Sequence, residues 1–342
     1  MVITADGRRL CARSILLVGT LIVTLLGLAA TPALGDRAGV RSRSPRAVES
    51  IVGGTGVSIA RLPFQVALYN PRAGSPAAGF FCGGVIIDAT HIATAAHCIA
   101  TGAHGQVGAL GEMEVLAGST HLLPTDPGSI RDPVAAASLD PHYNPSTSDF
   151  DVGVLTLARR LWTDATPPSI NGINTVAPLS VDAARAASYT DQEAEQQTTA
   201  TVSGWGDVNP APTDGPSYPA GLQSVQVSLV PESLCGEDYA GIEQTITPRM
   251  ICAGNSQPRT DSCYGDSGGP LVVNRDSPAA ASGDYVLVGL VDFGNGCAQP
   301  GYPGVYTRIA DPEVANFLIS GAGHRAKLAG RQSRKKRRHR HR

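Results

Sequence analysis

Three short segments of this sequence carry residues that could perform nucleophilic catalysis together. His97 stands beside Cys98, and a histidine next to a disulfide-bonded cysteine would be held firmly enough to act as a general base. Asp151 precedes an apolar run, where a buried carboxylate needs a donor such as an imidazole N–H. Ser267 lies in Gly265–Pro270, whose glycines let backbone N–H groups face a developing oxyanion. A base that removed its proton would make Ser267 a nucleophile.

The order histidine, aspartate, serine along the chain argues against one common class of hydrolase. Residues 265–269 fit the Gly-x-Ser-x-Gly turn of the α/β-hydrolases, but in that fold the acid and the histidine follow the serine. The histidines after Ser267 are His324, His339 and His341, which lie in or beside a basic tail. We therefore exclude the α/β-hydrolase fold.

The elements that must position these side chains are predicted to be mostly β-strands. The sequence has 39 Gly and 25 Pro, and its short β-branched runs are bounded by turn residues, which is typical of an all-β sandwich or barrel. The one predicted helix is Pro312–Ser320, with Asp311 as its cap and Gly321 as its end. Residues 182–200 are predicted to form a long exposed loop. Predicted strands include Phe64–Tyr69, Val85–Ile87, Val152–Leu157, Thr201–Ser203, Val225–Val230, Leu271–Val273, Tyr285–Val291 and Gly304–Arg308.

Charge is distributed very unevenly along the chain. Residues 324–342 hold ten Lys or Arg and no acid, whereas residues 51–323 hold ten Arg, no Lys and 26 Asp or Glu, a net charge of -16. A body this acidic is a poor nucleic-acid binder, so no nucleic-acid partner is expected. The lysine-poor, alanine-rich composition indicates a GC-rich bacterial source.

Both ends of the chain have the character of leader or tail segments. Residues 15–30 form an apolar run of sixteen residues after several arginines, and Ala33–Gly35 offers the small residues that a signal peptidase reads. We predict a signal peptide over 1–35, with a membrane anchor as the alternative, and a propeptide over 36–50. The basic tail, 321–342, is either solvated and disordered or an electrostatic tether to an anionic surface.

Six cysteines remain once Cys11 in the leader is set aside. An even number in an exported chain indicates disulfides, but six cysteines allow fifteen pairings, among which composition does not choose.

Taken together, these segments resemble the trypsin-like (chymotrypsin-fold) serine proteases over residues 51–320. The resemblance implies two six-stranded antiparallel Greek-key barrels, roughly 51–160 and 161–310, with the active site between them and a short C-terminal helix. The segments that carry it, in the family's order, are Ile51–Gly54, Thr94–Cys98, Asp151–Leu155, Ser203–Gly206, Asp261–Pro270 and Gly304–Thr307.

The same resemblance assigns the chemistry. It implies a triad of His97, Asp151 and Ser267, and an oxyanion hole made by the N–H groups of Gly265 and Ser267. It also selects one pairing of the cysteines, in which each bridge stabilises the fold by about 2–4 kcal/mol. The implied disulfides are Cys82–Cys98, Cys235–Cys252 and Cys263–Cys297.

Substrate preference is implied by Asp261, six residues before Ser267. An aspartate at this family position forms the floor of the primary pocket, where it pairs with Arg or Lys of the substrate. Gly294 and Gly304 match the pocket walls and leave room for a long side chain. We expect protein or peptide substrates with exposed Arg or Lys, protein protease inhibitors as further partners, and a monomer.

Activation is implied to follow cleavage before Ile51, whose new ammonium group would pair with Asp266 and order the oxyanion loop. Glu49 and Ser50 precede the cut, where precursors in this family have Lys or Arg. An enzyme with Asp261 in its pocket should not cut there, so we expect a secreted zymogen that another protease activates.

Two departures from the family pattern affect the site. Asp292 and Phe293 stand where the family has Ser-Trp, and we expect Asp292 either to share one proton with Asp151 or to turn away from it. Ser119 and Pro303 replace residues that bind calcium or favour sodium in relatives, so no metal or other cofactor is expected.

A homologue without activity, acting as a binding protein, is the alternative function. Such homologues usually lose a member of the triad, and this sequence keeps all three residues.

Overall fold

The computed structural model describes residues 51–102, 105–163, 176–190, 198–209, 217–242, 244–256, 259–274 and 284–321. The predicted signal peptide, the propeptide and all but the first residue of the predicted basic tail lie outside the described residues. Strands are numbered β1 to β16 and α-helices α1 to α4 in chain order. Among the residues described, every helix is too short or too polar to cross a lipid bilayer.

Six antiparallel strands close into a first barrel in the order β2-β3-β4-β9-β8-β7. Alternate residues of β2 such as Val66 and Leu68 point into its core, where Ile86, Ile92 and Leu155 are also fully buried. The strands are β2 (Gln65–Tyr69), β3 (Phe80–Ile86), β4 (His91–Thr94), β7 (Glu114–Ala117), β8 (Ile130–Leu139) and β9 (Gly153–Leu157). The two-stranded ribbon of β5 (Ala100–Thr101) and β6 (Gln106–Val107) lies outside this barrel.

A second set of six strands runs β11-β10-β14-β15-β16-β12, and the pairing of β12 with β11 closes it. The predicted fold of two six-stranded antiparallel barrels is therefore confirmed. The strands are β10 (Thr199–Gly204), β11 (Gln223–Val230), β12 (Met250–Ser256), β14 (Pro270–Asn274), β15 (Tyr285–Phe293) and β16 (Gly304–Arg308), with β1 (Thr55–Gly56) and β13 (Arg259–Thr260) at the sheet edges.

The two ends of the domain cross over between the barrels. Thr55 of β1, although it precedes the first barrel, pairs with Ser224 of the second. At the other end, a β-carbon at Gly321 would lie 3.0 Å from Val154 of the first barrel. The division near residue 160 predicted from the sequence is thus not strictly sequential.

In the described part of the chain, four α-helices connect or cover the strands, where one was predicted. Asp311 caps the predicted one by accepting hydrogen bonds from the N–H groups of Glu313 and Val314 at 2.8 and 3.1 Å. The predicted end at Gly321 is wrong, since Gly321, the last described residue, is itself helical. The helices are α1 (Pro76–Gly79), α2 (Ala183–Thr190), α3 (Glu232–Tyr239) and α4 (312–321).

The predicted long loop over 182–200 is wrong where α2 lies and at its last two residues, which begin β10, while residues 191–197 lie outside the described residues. Asp182 caps this helix by accepting the Arg185 N–H at 3.0 Å, and Ala186 and Thr190 are buried on one side. Burial against the domain, rather than a strongly apolar stripe, favours the helix.

Disulfides join Cys82 to Cys98, Cys235 to Cys252 and Cys263 to Cys297. These are the pairs that the family resemblance implies. The first bridge ties β3 to the turn that carries His97, and the third ties the Ser267 segment to the loop after β15.

Candidate active site

The cleft between the barrels brings together the three residues of the predicted triad. His97 lies in a 3-10 turn just after β4, and Asp151 lies just before β9. Because Thr94 of β4 pairs with Gly153 of β9, the two side chains leave the same end of the sheet. Ser267 precedes β14 of the second barrel and lines the same cavity as His97.

Asp151 holds His97 by two hydrogen bonds. The His97 backbone N–H donates to Asp151 Oδ1 at 2.8 Å, and His97 Nδ1 lies 2.7 Å from Asp151 Oδ2. Burial lowers the pKa of His97, but the negative charge of Asp151 and their hydrogen bond outweigh it and raise the pKa above its ordinary value. With Nδ1–H donated to the aspartate, the other ring nitrogen is left to accept a proton.

Ser267 sits on a loop that both barrels hold. Its carbonyl oxygen accepts the Gly83 N–H at 2.8 Å, while the next residue, Gly268, donates its N–H to Val291 at 2.7 Å. Glycine is required at position 268 for two reasons: its φ is +73°, and a β-carbon there would collide with the Thr94 hydroxyl.

The N–H groups of Gly265 and Ser267 are free to bind an oxyanion. Within the described part of the chain, neither donates a hydrogen bond to another protein group. Gly265 has φ +97°, a conformation that glycine adopts without strain. Two such donors beside a serine hydroxyl can stabilise the tetrahedral intermediate of acyl transfer.

A cavity of about 310 Å³ opens beside Ser267 and has Asp261 in its lining. Asp261 is 2% exposed, and its Oδ2 accepts the Ala298 N–H at 3.0 Å. Its Oδ1 has no hydrogen-bond partner among the described residues. Burial raises the pKa of Asp261 to about 7. A buried, half-satisfied carboxylate of this kind can bind a cation that enters the cavity.

Glycine shapes the cavity next to Asp261. A β-carbon at Gly304 would lie 2.5 Å from Asp261 Oδ1, and one at Gly294 would lie 3.0 Å from the Gly296 carbonyl oxygen. The addition at Gly304 would narrow the space in front of the carboxylate, and the one at Gly294 would crowd the loop at Gly296. Both predicted wall residues line the cavity.

Asp266 and Ile51 are both fully buried. Asp266 accepts the N–H groups of Gly206 at 2.8 Å and Cys263 at 2.9 Å, yet burial still raises its pKa to about 7. A side chain at position 204 would collide with the Asp266 carboxylate, which explains why this position is glycine. Next to Ile51, the Val52 carbonyl accepts the Asp261 N–H at 3.3 Å, so the start of the domain lies against the cavity wall.

Several residues of the site were not singled out from the sequence. Thr307 Oγ1 donates to the Asp151 carbonyl at 2.7 Å, and the Tyr306 hydroxyl lies 3.1 Å from Ser262 Oγ, behind the cavity. Both residues belong to Gly304–Thr307, and the match of that segment to the family pattern is the sequence feature that could have identified them. Asp149 accepts a hydrogen bond from Arg249 at 2.6 Å, a contact that no local sequence pattern predicts.

A separate cavity of about 270 Å³ is lined by Arg61, Phe64, Arg185 and Tyr285, among others. None of the predicted site residues lines it, so the chemistry is assigned to the cavity at Ser267.

Comparison with known proteins agrees with this geometry. A family model described as trypsin matches residues 51–318, which is most of the domain. The chain belongs to the trypsin family. It is accordingly a trypsin-type serine endopeptidase, a hydrolase of peptide bonds.

Individual members of the trypsin family show the same relationship. Trypsin alpha-4 of Lucilia cuprina is 35% identical over 272 residues, covering 80% of this chain and 87% of that protein. Trypsin beta of Drosophila erecta is 34% identical over 272 residues, covering 80% and 88%. Transmembrane protease serine 9 of Rattus norvegicus is 34% identical over 266 residues, or 77% of this chain, but the chain spans only 21% of that protein. These are animal proteins, and they give no support to the expected bacterial source.

Proposed function

We propose that this trypsin-family chain is a secreted endopeptidase that hydrolyses peptide bonds after Arg or Lys. The observation that supports this specificity is Asp261, a buried carboxylate with a free oxygen in the cavity that His97 and Ser267 also line. An Arg or Lys side chain entering from the cleft would supply the missing cation, and the glycines at 294 and 304 leave room for its length.

Hydrolysis proceeds through an acyl-enzyme in this proposal. The Ser267 hydroxyl attacks the scissile carbonyl carbon while its proton passes to His97 Nε2. Asp151 stabilises the resulting imidazolium, and the N–H groups of Gly265 and Ser267 bind the oxyanion. As the C–N bond breaks, His97 returns the proton to the leaving amine. Water then attacks the ester by the same route and restores the serine.

The enzyme is made as an inactive precursor in this proposal. Cleavage before Ile51 creates an ammonium group that pairs with Asp266, and the pairing orders the loop that carries Gly265 and Ser267. The buried positions of Ile51 and Asp266 support this pairing, and the absence of a basic residue at position 50 supports activation by a different protease.

Turnover of a matched set of peptide amides tests the proposal. The activated enzyme should cleave amides that end in Arg or Lys and leave those that end in Leu, Phe or Glu nearly untouched. Ser267→Ala, which removes only the hydroxyl, is the control for contaminating proteases. A preference for apolar residues would refute the specificity, and no turnover by an enzyme with an Ile51 N-terminus would refute the peptidase function.

A further inference from the structure

Asp292, on β15, is buried directly beside the proposed triad. Asp292 is 5% exposed, and among the described residues no donor reaches either of its carboxylate oxygens in good hydrogen-bond geometry. One of these oxygens, an oxygen of Asp151 and a ring nitrogen of His97 all lie within 4.8 Å of one another. An isolated carboxylate in such a place would be very unfavourable.

The described groups around Asp292 add negative charge and provide no cation to neutralise its carboxylate. Asp149, the next acid along the chain from Asp151, contributes further repulsion, and its own cation, Arg249, is already bound to it at 2.6 and 3.0 Å. Among the described residues, Asp292 takes part in no ion pair. The titratable and polar groups that face it are His97, Tyr143, Ser148, Asp149 and Asp151.

A contact between two carboxylates becomes a hydrogen bond only when one of them carries a proton, since ionised carboxylates are acceptors alone. Burial, the charge of Asp151 and the contact with Asp151 all raise the pKa of Asp292 well above its ordinary value. Ser148 opposes them more weakly. The proton is therefore more stable on Asp292 than on Asp151, because the Asp151 carboxylate already accepts hydrogen bonds from two N–H groups of His97.

We propose that Asp292 is a positioning residue that stays protonated during catalysis and donates its carboxyl O–H to Asp151. The donation fixes the Asp151 carboxylate against His97 and leaves the pair with one negative charge. This inference rests on the proposed peptidase function. In the competing arrangement the proton lies on His97 and both carboxylates are ionised, so that His97 has no free nitrogen to accept the Ser267 proton.

Infrared spectroscopy tests the protonation without any turnover. The difference spectrum between the enzyme and its Asp292→Asn variant at pH 7 should contain a carboxylic-acid C=O band. Asp126→Asn is the matched control, because hydrogen bonds from His121 and Thr120 keep the pKa of Asp126 low and it should lose carboxylate bands only. Loss of carboxylate bands alone in Asp292→Asn would overturn the proposal.

Kinetics with an arginyl peptide amide tests the positioning role. Asp292→Ala removes the donor and should lower kcat about tenfold at unchanged KM, whereas Asp292→Asn keeps an N–H donor and should recover most of that loss. The acid limb of kcat/KM should keep its midpoint in Asp292→Asn, since one negative charge faces His97 in both proteins. Equal kcat values for the two variants would overturn the proposal. A fall in that midpoint by about one pH unit would do the same, because it means that the wild-type pair is doubly charged.

The two readouts separate this inference from the function on which it rests. An enzyme that cleaves no peptide amide refutes the proposed function, while the infrared band still reports the state of Asp292. A normal arginine preference without the band refutes the role of Asp292 alone.

Discussion

The backbone N–H of Gly83, in the first barrel, donates a 2.8 Å hydrogen bond to the carbonyl oxygen of Ser267, in the second. The Thr94 hydroxyl in turn donates to the Gly83 carbonyl at 2.8 Å, and Thr94 stands three residues before His97. The proposed nucleophile and its base are therefore held by the same strand, β3, and their separation depends on how the two barrels are joined.

Replacing Thr94 by Val should lower the free energy of unfolding by about 1–2 kcal/mol. Valine has a similar shape but supplies no donor to the Gly83 carbonyl in a buried position. Urea denaturation measures the loss. Thr101→Val is the matched control, because the Thr101 hydroxyl donates to the Gln106 carbonyl at an exposed site and at 3.3 Å. We expect less than about 0.5 kcal/mol from the control, and equal losses would contradict the role of Thr94.

Asp261→Ser should lower kcat/KM for arginyl amides by about 100-fold or more, because the substrate cation would enter a buried pocket without a partner. Urea denaturation of the variant should match that of the wild type, which makes it the control for folding. A peptide library measures the preference for Arg. An undiminished preference for Arg would show that Asp261 is not the floor of the specificity pocket.

Binding of an arginine-like cation should strengthen as the pH rises through 7. Burial raises the pKa of Asp261 to about 7, so the group is mostly protonated below that pH and mostly ionised above it. A cation binds the ionised form, so the inhibition constant of benzamidine should rise by up to about tenfold for each pH unit below 7. Asp261→Ser should remove this slope. If the inhibition constant of the wild type did not change between pH 5 and 8, the raised pKa of Asp261 would be contradicted.

Gly304→Ala should abolish most cleavage after Arg, since the added β-carbon would lie 2.5 Å from Asp261 Oδ1 and narrow the space in front of the carboxylate. Gly236→Ala, on α3, is the matched control, because a β-carbon there meets nothing within 4 Å. The control should keep full activity, and as a helical substitution it should be neutral or stabilising. The assay is turnover of an arginyl amide, and comparable activity in the two variants would argue against the assigned pocket wall.

A precursor that begins before Ile51 should remain inactive when it is incubated alone with Ser267 intact. Ser50→Arg places a residue that the enzyme can cut before Ile51, so this variant should activate itself. Adding Asp266→Asn to Ser50→Arg should allow the cut by an added trypsin but leave the product inactive, because the new ammonium has no partner. N-terminal sequencing with an activity assay decides. Spontaneous appearance of Ile51 and activity in the unmodified precursor would refute external activation.

The sequence predicts the strands whose apolar residues are continuous and misses those whose pattern is diluted. Tyr285–Val291 lies inside β15, whereas β8, with Arg131, Asp132 and Pro133 near its start, was not predicted. Helix α3 was also missed. Its two buried residues, Cys235 and Tyr239, are too few for a visible stripe, and they attach the helix through a disulfide to Cys252 and a hydrogen bond to the Pro303 carbonyl.

The site residues predicted from the sequence lie in short segments whose order along the chain matches a known family. Residues that act through tertiary contacts gave no such signal. Thr307 reaches the Asp151 carbonyl across 156 positions of sequence, and Arg249 reaches Asp149 across 100. Only closure of the barrels brings these partners together, so no local pattern could predict either contact.

Each end of the protease domain contacts the barrel at the other end of the sequence, which affects how the domain can be divided. A fragment cut near residue 160 would keep Thr55 but lose Ser224, the residue it pairs with, and the remaining fragment would keep 312–321 without Val154. Each half would thus expose a surface that the other half covers. We expect the halves, expressed separately, to regain a working cleft only when they are mixed, as complementing fragments rather than as independent modules.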